Sequence, residues 1–192
     1  MRSVLELPAG FDLYQRLVGA RRSKRRFIED YAQPRSGESV LDLGSGTGAL
    51  FDLMPDGVEY VGVEIDERYV EAARASHGAS AQFVHADATN YRPDREFDLA
   101  LAYGVLHHLT DDQARRLLLA ARAARRFAAA EPCSTPKAGP LESFLMRHDR
   151  GRFIRSEEAY VRLARDVFEG VEAQLVQGTY RIPYTLVVLE CS

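Results

Sequence analysis

Val40-Leu-Asp-Leu-Gly-Ser-Gly-Thr-Gly48 is an apolar run carrying one acid, Asp42, and ending in three glycines at alternate positions. Such glycines let the backbone turn sharply and approach a ligand with no side chain in between. Sixteen residues past Gly48, Val61-Gly-Val-Glu64 ends in a carboxylate able to accept hydrogen bonds from both hydroxyls of a ribose. On spacing alone, Gly44, Gly46 and Ala49 also satisfy the loose dinucleotide fingerprint, so a nicotinamide site stays open at this point. A third apolar run is followed by His107 and His108. Imidazole is the natural proton acceptor near neutral pH, so either ring has the chemistry to deprotonate a hydroxyl, against the alternative that one or both serve packing.

Charge clusters give weaker signals. Arg21-Arg-Ser-Lys-Arg-Arg26 predicts a basic stripe of Arg21, Arg22, Arg25 and Arg26 on an N-terminal helix, suited to a phosphate or other anionic group, or simply solvated. Residues 132–155 mix aromatics with Arg147, His148, Arg150 and Arg152, and read as an inserted lid over a substrate. Tyr14 and Arg21 on the N-terminal side, and Arg147 and His148 on the lid, are the candidate substrate contacts. Cys133 and Cys191 follow no metal-ligand spacing, so no metal site is expected.

The elements that must position these groups alternate between short apolar runs and helical patterns. Strands are expected at Ser39–Leu43, Val58–Glu64, Ala81–His85, Phe97–Ala102 and Phe127–Glu131, with a short helix beginning near Ala49. Thr110 and Gln113 form a capping-box pattern for a helix from Asp111 to about Ala124, and a later helix starts after Ser156. Residues 171–178 and 184–191 are joined by a connection too short for a helix and should pair antiparallel. The alternation predicts a mostly parallel sheet covered on both faces.

At 192 residues the chain fits one α/β domain, 1–192, with an N-terminal helical cap over 1–36. A formal charge of −3 gives no global basic field for nucleic acid. No apolar stretch approaches the roughly 20 residues that span a bilayer, and the cysteine usage fits a reducing compartment, so a cytoplasmic protein is expected. Nothing in the sequence indicates an oligomeric state.

The glycine segment, Glu64, Ala86-Asp87-Ala88 and the run from Phe97 to Leu109 occur together and in this order, and so the chain resembles the class I S-adenosylmethionine (SAM) dependent methyltransferases. The resemblance implies a doubly wound seven-stranded Rossmann-like sheet in the order 3-2-1-4-5-7-6, strand seven antiparallel, with helices on both faces. It implies SAM as cofactor and S-adenosylhomocysteine as product. Gly44, Ser45 and Gly46 would lie along the methionine and ribose, Asp42 near the amino group, and Glu64 on the ribose. Ile65 would flank the adenine, Asp87 and Ala88 would meet its edge, and Tyr103 would lie beside the methionine. The sequence departs from the family where many relatives carry a Pro-Gly-Gly turn, since Ala123-Ala-Arg-Arg-Phe127 runs directly into a strand. The C-terminal third is similar to small bacterial methyltransferases of polysaccharide or secondary-metabolite pathways. The expected reaction is therefore methyl transfer to a hydroxyl of a sugar or small metabolite, with His107 or His108 as base. The alternatives are a SAM-fold enzyme of another reaction, such as a cyclisation, and a SAM-binding regulatory subunit.

Overall fold

The computed structural model describes residues 19–147 and 151–192. Seven strands form one sheet in the order β3-β2-β1-β4-β5-β7-β6. They are β1 (Ser39–Leu43), β2 (Glu59–Glu64), β3 (Gln82–His85), β4 (Phe97–Tyr103), β5 (Ala124–Pro132), β6 (Val171–Val176) and β7 (Leu186–Cys191). The first five pair in parallel, and β7 runs antiparallel to both β5 and β6.

One face of the sheet carries Leu41, Val63 and Ala102, covered by α3 (Asp111–Ala121) and α5 (Glu157–Arg165) through Leu117, Leu118 and Tyr160. The opposite face carries Val40, Tyr60 and Leu101. It is covered by α1 (Ala20–Arg26), a π-helical segment Phe27–Ala32 that continues it, and α2 (Glu67–His77). Period-two alternation along the strands thus feeds two cores from one sheet. Among the described residues no helix is long and apolar enough to cross a membrane.

Two local expectations fail. The short helix expected near Ala49 is not an α-helix: the glycine loop runs through turns into a single 3-10 turn, Phe51–Leu53, and Met54 is already extended. Pro55 is the cause, because a proline pushes the residue before it out of the helical region. At the other side of the sheet, β5 begins at Ala124 rather than Phe127, and α3 stops at Ala121. Arg126 can enter the strand because its guanidinium bonds the carbonyls of Ala32 and Gln33 and pairs with Glu38 at 2.6 Å.

In an open parallel sheet, ligands bind where the strand order reverses, beyond the carboxyl ends. Here that point lies between β1 and β4. Residues 133–147 leave β5, and residues 151–155 return beside the exit of β4. The helix α4 (Pro140–Arg147) is anchored where the Thr185 hydroxyl donates to the buried Glu142. The returning strand segment lies along Cys133, with Ser134 N donating to Arg155 O at 3.0 Å. Arg155 is the staple of this return: its guanidinium donates to the carbonyls of Leu106 (2.8 Å), Leu109 (2.6 Å) and Phe153 (3.0 Å) and to Asp111. Its loss orphans carbonyls that are shielded from water, so Arg155→Met is expected to destabilise the fold by about 2–4 kcal/mol. Urea denaturation checks this, and a change below about 0.5 kcal/mol would show that the staple is dispensable.

Candidate functional site

Gly44 opens the crevice. Its φ of +89° is one that side chains rarely adopt, and a Cβ on it would meet Val105 Cγ2 at 2.5 Å. The glycine therefore lets the exit of β1 touch the exit of β4. The loop is also tied to β2, with Gly44 N and Ser45 N both donating to Val63 O at 2.8 and 3.1 Å. Gly46, in contrast, has no atom within 4 Å of where a Cβ would stand, so its backbone faces open space.

Glu64 ends β2 beside this open side. Its Oε2 accepts from Gly46 N (3.0 Å), and Oε1 accepts from Ile65 N (2.8 Å) and Asp66 N (2.9 Å). The carboxylate is thereby fixed in direction, and Oε2 keeps capacity for a further donor. Ile65 next to it is 64 % exposed, unusual for so large an apolar side chain and suited to cover by a flat ring. Beyond the neighbouring strand β3, Asp87 accepts from Thr89 N (2.8 Å) and Asn90 Nδ2 (2.8 Å), which holds its own loop, and Ala88 is buried.

Asp42 is buried on β1, with Oδ2 accepting from the Tyr60 hydroxyl. Burial pushes its carboxyl up to about 7, with the Tyr60 hydrogen bond and Lys24 acting against that rise. Among the described residues, Asp42 Oδ1, Ser45 Oγ, Thr89 Oγ1 and Thr135 Oγ1 are buried with no hydrogen-bond partner. Buried polar atoms ordinarily find partners. Two of the four, on Asp42 and Ser45, belong to the end of β1 and the glycine loop, a place that a polar ligand would complete.

Tyr103 ends β4 but is engaged by the cap: its hydroxyl donates to Ser23 Oγ (2.7 Å) and lies 3.0 Å from the Tyr180 hydroxyl, while Ser23 donates to Thr179 (3.0 Å). Phe27 meets its ring edge-on at 5.3 Å, and the Lys24 ammonium is 5.9 Å from the ring centre. Tyr103 is thus a joint between cap and sheet at the rim of the crevice.

The two histidines part company. His107 is buried, and His108 is exposed with its ring centre 4.0 Å from that of His107. His107 Nδ1 lies 2.7 Å from Oε2 of Glu131, a carboxylate with no exposed surface at the end of β5. Glu131 also accepts from Val105 N (2.8 Å), Leu106 N (2.8 Å) and His107 N (3.2 Å). The other edge of the His107 ring is bordered by Gly151, where a Cβ would stand 1.8 Å from Cδ2. Glu131, Lys24 and Thr89 are site residues that the sequence reading did not single out. Glu131 had a signal, a lone acid at the end of Phe127-Ala-Ala-Ala, the same pattern that marked Glu64 on β2.

The remaining candidates lie further out. Arg21 is exposed on α1, in the expected basic face with Arg22, Arg25 and Arg26, the last paired with Asp30 at 3.1 Å. Arg147 ends α4 and is exposed. Tyr14 and His148 lie outside the described residues.

Residues 40–126, from β1 into β5, match the model of the methyltransferase domain family. That match and the sheet order together support a class I SAM-dependent methyltransferase domain with SAM as its cofactor. Among solved structures, the chain superimposes on a pyocyanin biosynthetic protein with a TM-score of 0.75 at 18% identity, covering 96% of this chain and 58% of that one. A mitomycin 7-O-methyltransferase gives 0.70 at 20% identity, covering 98% and 59%. The chain thus spans less than two thirds of the length of these two proteins. The magnesium protoporphyrin IX methyltransferase of Synechocystis, solved with bound S-adenosylhomocysteine, gives 0.67 at 18%, covering 96% and 94%. No curated protein sequence matches the chain.

The site chemistry fits SAM better than a dinucleotide. A pyrophosphate needs the positive start of a helix after the glycine loop, and only a 3-10 turn stands there. An acid under the loop repels that pyrophosphate but suits the ammonium of a methionine moiety. Because the free carboxyl of Asp42 titrates at about 7, binding such an ammonium drives deprotonation. Affinity for S-adenosylhomocysteine is therefore expected to rise about tenfold between pH 6 and 8, and calorimetry on Asp42→Asn should give a weaker and flat profile. The stability of the free protein should move oppositely. The folded-state pKa lies above the ordinary 3.8, so the contribution of Asp42 to stability is fully present below about pH 4 and is lost as pH rises through 7. Thermal melts at pH 8 should show Asp42→Asn as the more stable protein, and a less stable mutant would contradict an ionised, poorly solvated Asp42.

Proposed function

We propose that this chain transfers the sulfonium methyl of SAM to a hydroxyl oxygen of a small-molecule acceptor, a sugar or secondary metabolite, with His107 receiving the hydroxyl proton. The observation that carries the reading is the 2.7 Å contact between His107 Nδ1 and the fully buried Glu131. A carboxylate on Nδ1 fixes the tautomer with the proton on that nitrogen, which leaves Nε2 as the basic atom. It also stabilises the imidazolium that forms when a proton arrives.

SAM, when bound, supplies a methyl already activated by the positive sulfur. What the chain adds is placement. Gly44 and Gly46 let the backbone close on the cofactor, Asp42 receives its ammonium, Glu64 takes a ribose hydroxyl, and Ile65, Asp87 and Ala88 frame the adenine. Holding donor and acceptor in line removes much of the entropic cost of a bimolecular displacement. His107 then removes the hydroxyl proton as the carbon–oxygen bond forms and the carbon–sulfur bond breaks. Glu131 acts through His107 and is a positioning residue. The pyocyanin biosynthetic protein and the mitomycin 7-O-methyltransferase among the structural neighbours support a small-molecule acceptor, and the second names an oxygen.

The test is a panel of hydroxylated acceptors incubated with methyl-labelled SAM, read by S-adenosylhomocysteine release and a product heavier by one methyl. With the acceptor so found, His107→Ala is expected to lower kcat by about 10²–10⁴-fold with S-adenosylhomocysteine affinity unchanged. His108→Ala should stay near wild type, and Glu131→Gln should lower kcat while KM for SAM holds. Full turnover in His107→Ala with loss in His108→Ala would transfer the role to the exposed ring, and full turnover in both would leave catalysis to proximity alone.

Glu64→Ala should weaken S-adenosylhomocysteine binding by about 1.5–3 kcal/mol, since hydrogen bonds to a charged acceptor are the strong ones. Unchanged calorimetric affinity in a natively folded mutant would remove Glu64 from the ribose.

A further inference from the structure

Outside the crevice, a cleft of about 370 Å³ is lined by Gly19, Arg21, Arg22, Tyr180 and Arg181. It brings together two segments remote in sequence, the start of α1 and the β6–β7 connection. We infer that this cleft is the subsite for an anionic group on the methyl acceptor, a phosphate or a carboxylate gripped by Arg21, Arg22 and Arg181. This rests on the methyl-transfer reading and names the class of substrate.

Three observations carry it. First, the meeting of the two segments is built rather than incidental. Gly19 has a φ of +82°, and a Cβ on it would stand 3.0 Å from Arg181 Cγ, so the stem of Arg181 lies where only glycine leaves room. Second, three arginines line this one cleft in a chain of net charge −3, and none of them pairs with a carboxylate among the described residues. Like charges brought together repel unless a counter-charge joins them, and the planar guanidinium fork matches both phosphate and carboxylate oxygens. Third, the cleft and the crevice share a wall. Its wall residue Tyr180 lies 3.0 Å, hydroxyl to hydroxyl, from Tyr103 at the end of β4, and Thr179 is held to Ser23 of α1. An acceptor with its anion in the cleft would extend past Tyr180 and Tyr103 toward the exit of β4, where the reacting hydroxyl is needed.

The test uses the full chain and two probes at low salt, inorganic pyrophosphate and citrate, followed by calorimetry. At least one should bind with submillimolar affinity. Arg21→Ser and Arg181→Ser should each weaken it tenfold or more. Gly19→Ala should also weaken it, although it changes no charge, because it displaces the Arg181 stem. Arg122→Ser, at the end of α3 on the opposite face of the sheet, removes the same charge and should leave binding unchanged. Thermal melts verify that each variant is folded.

Pyrophosphate binding alone assigns a phosphorylated acceptor, and citrate binding alone a carboxylated one. S-adenosylhomocysteine titrated into the same variants should bind as in the wild type. Were it to fail in the wild type while the anions bind, the cofactor reading would fall and the cleft would stand. Failure of both anions to bind the wild type, or equal weakening by Arg122→Ser and Arg181→Ser, overturns the anion subsite.

Discussion

A carboxylate with no exposed surface is costly unless every lone pair it turns inward is answered, and the site depends on how Glu131 meets that demand. Both of its oxygens accept two hydrogen bonds, together using three successive backbone amides, Val105 to His107, and one imidazole nitrogen. The chain leaving β4 is thereby fixed by a charge on β5. Val105, so placed, is what Gly44 packs against, and the glycine loop is bound in turn to Val63 of β2. From β5 to β2, the walls of the crevice form one connected series of contacts.

That series leaves two chemically different sides. On the β1–β2 side stand polar atoms that lack partners, Asp42 Oδ1 and Ser45 Oγ, with an exposed Ile65 beside them. On the β4–β5 side, His107 Nδ1 is held by Glu131, and Gly151 borders the opposite edge of the ring without a Cβ to cover it. The first side is unfinished and asks for a ligand. The second is rigid and suited to a proton transfer whose geometry must not wander. Arg155, by holding Leu106, Leu109 and Phe153 at once, keeps the returning segment on the second side. The cap contributes at the rim through Ser23 and Lys24, so its position and that of Tyr103 are coupled.

The strand order was legible only through the resemblance that the glycine loop, Glu64, Asp87 and the run to Leu109 carry together, and each of these segments falls at a carboxyl edge as that resemblance implies. What escaped were features settled by partners distant in the chain. The early start of β5 depends on Arg126 finding Glu38 and two carbonyls some ninety residues back. The helix expected near Ala49 is cut to a single 3-10 turn before Pro55, which the glycine pattern by itself does not reveal. The two histidines were equivalent as letters, and only the burial of Glu131 separates them. Arg181 showed nothing in sequence because its neighbour Gly19 lies at the far end of the chain.

The crevice between β1 and β4 is suited to SAM and its product rather than to a dinucleotide. Calorimetric titration of the wild-type protein with S-adenosylhomocysteine and, separately, with NAD distinguishes the two. Saturable one-to-one binding of S-adenosylhomocysteine and no heat of binding from NAD are expected. Tight NAD binding with none for S-adenosylhomocysteine would overturn the assignment.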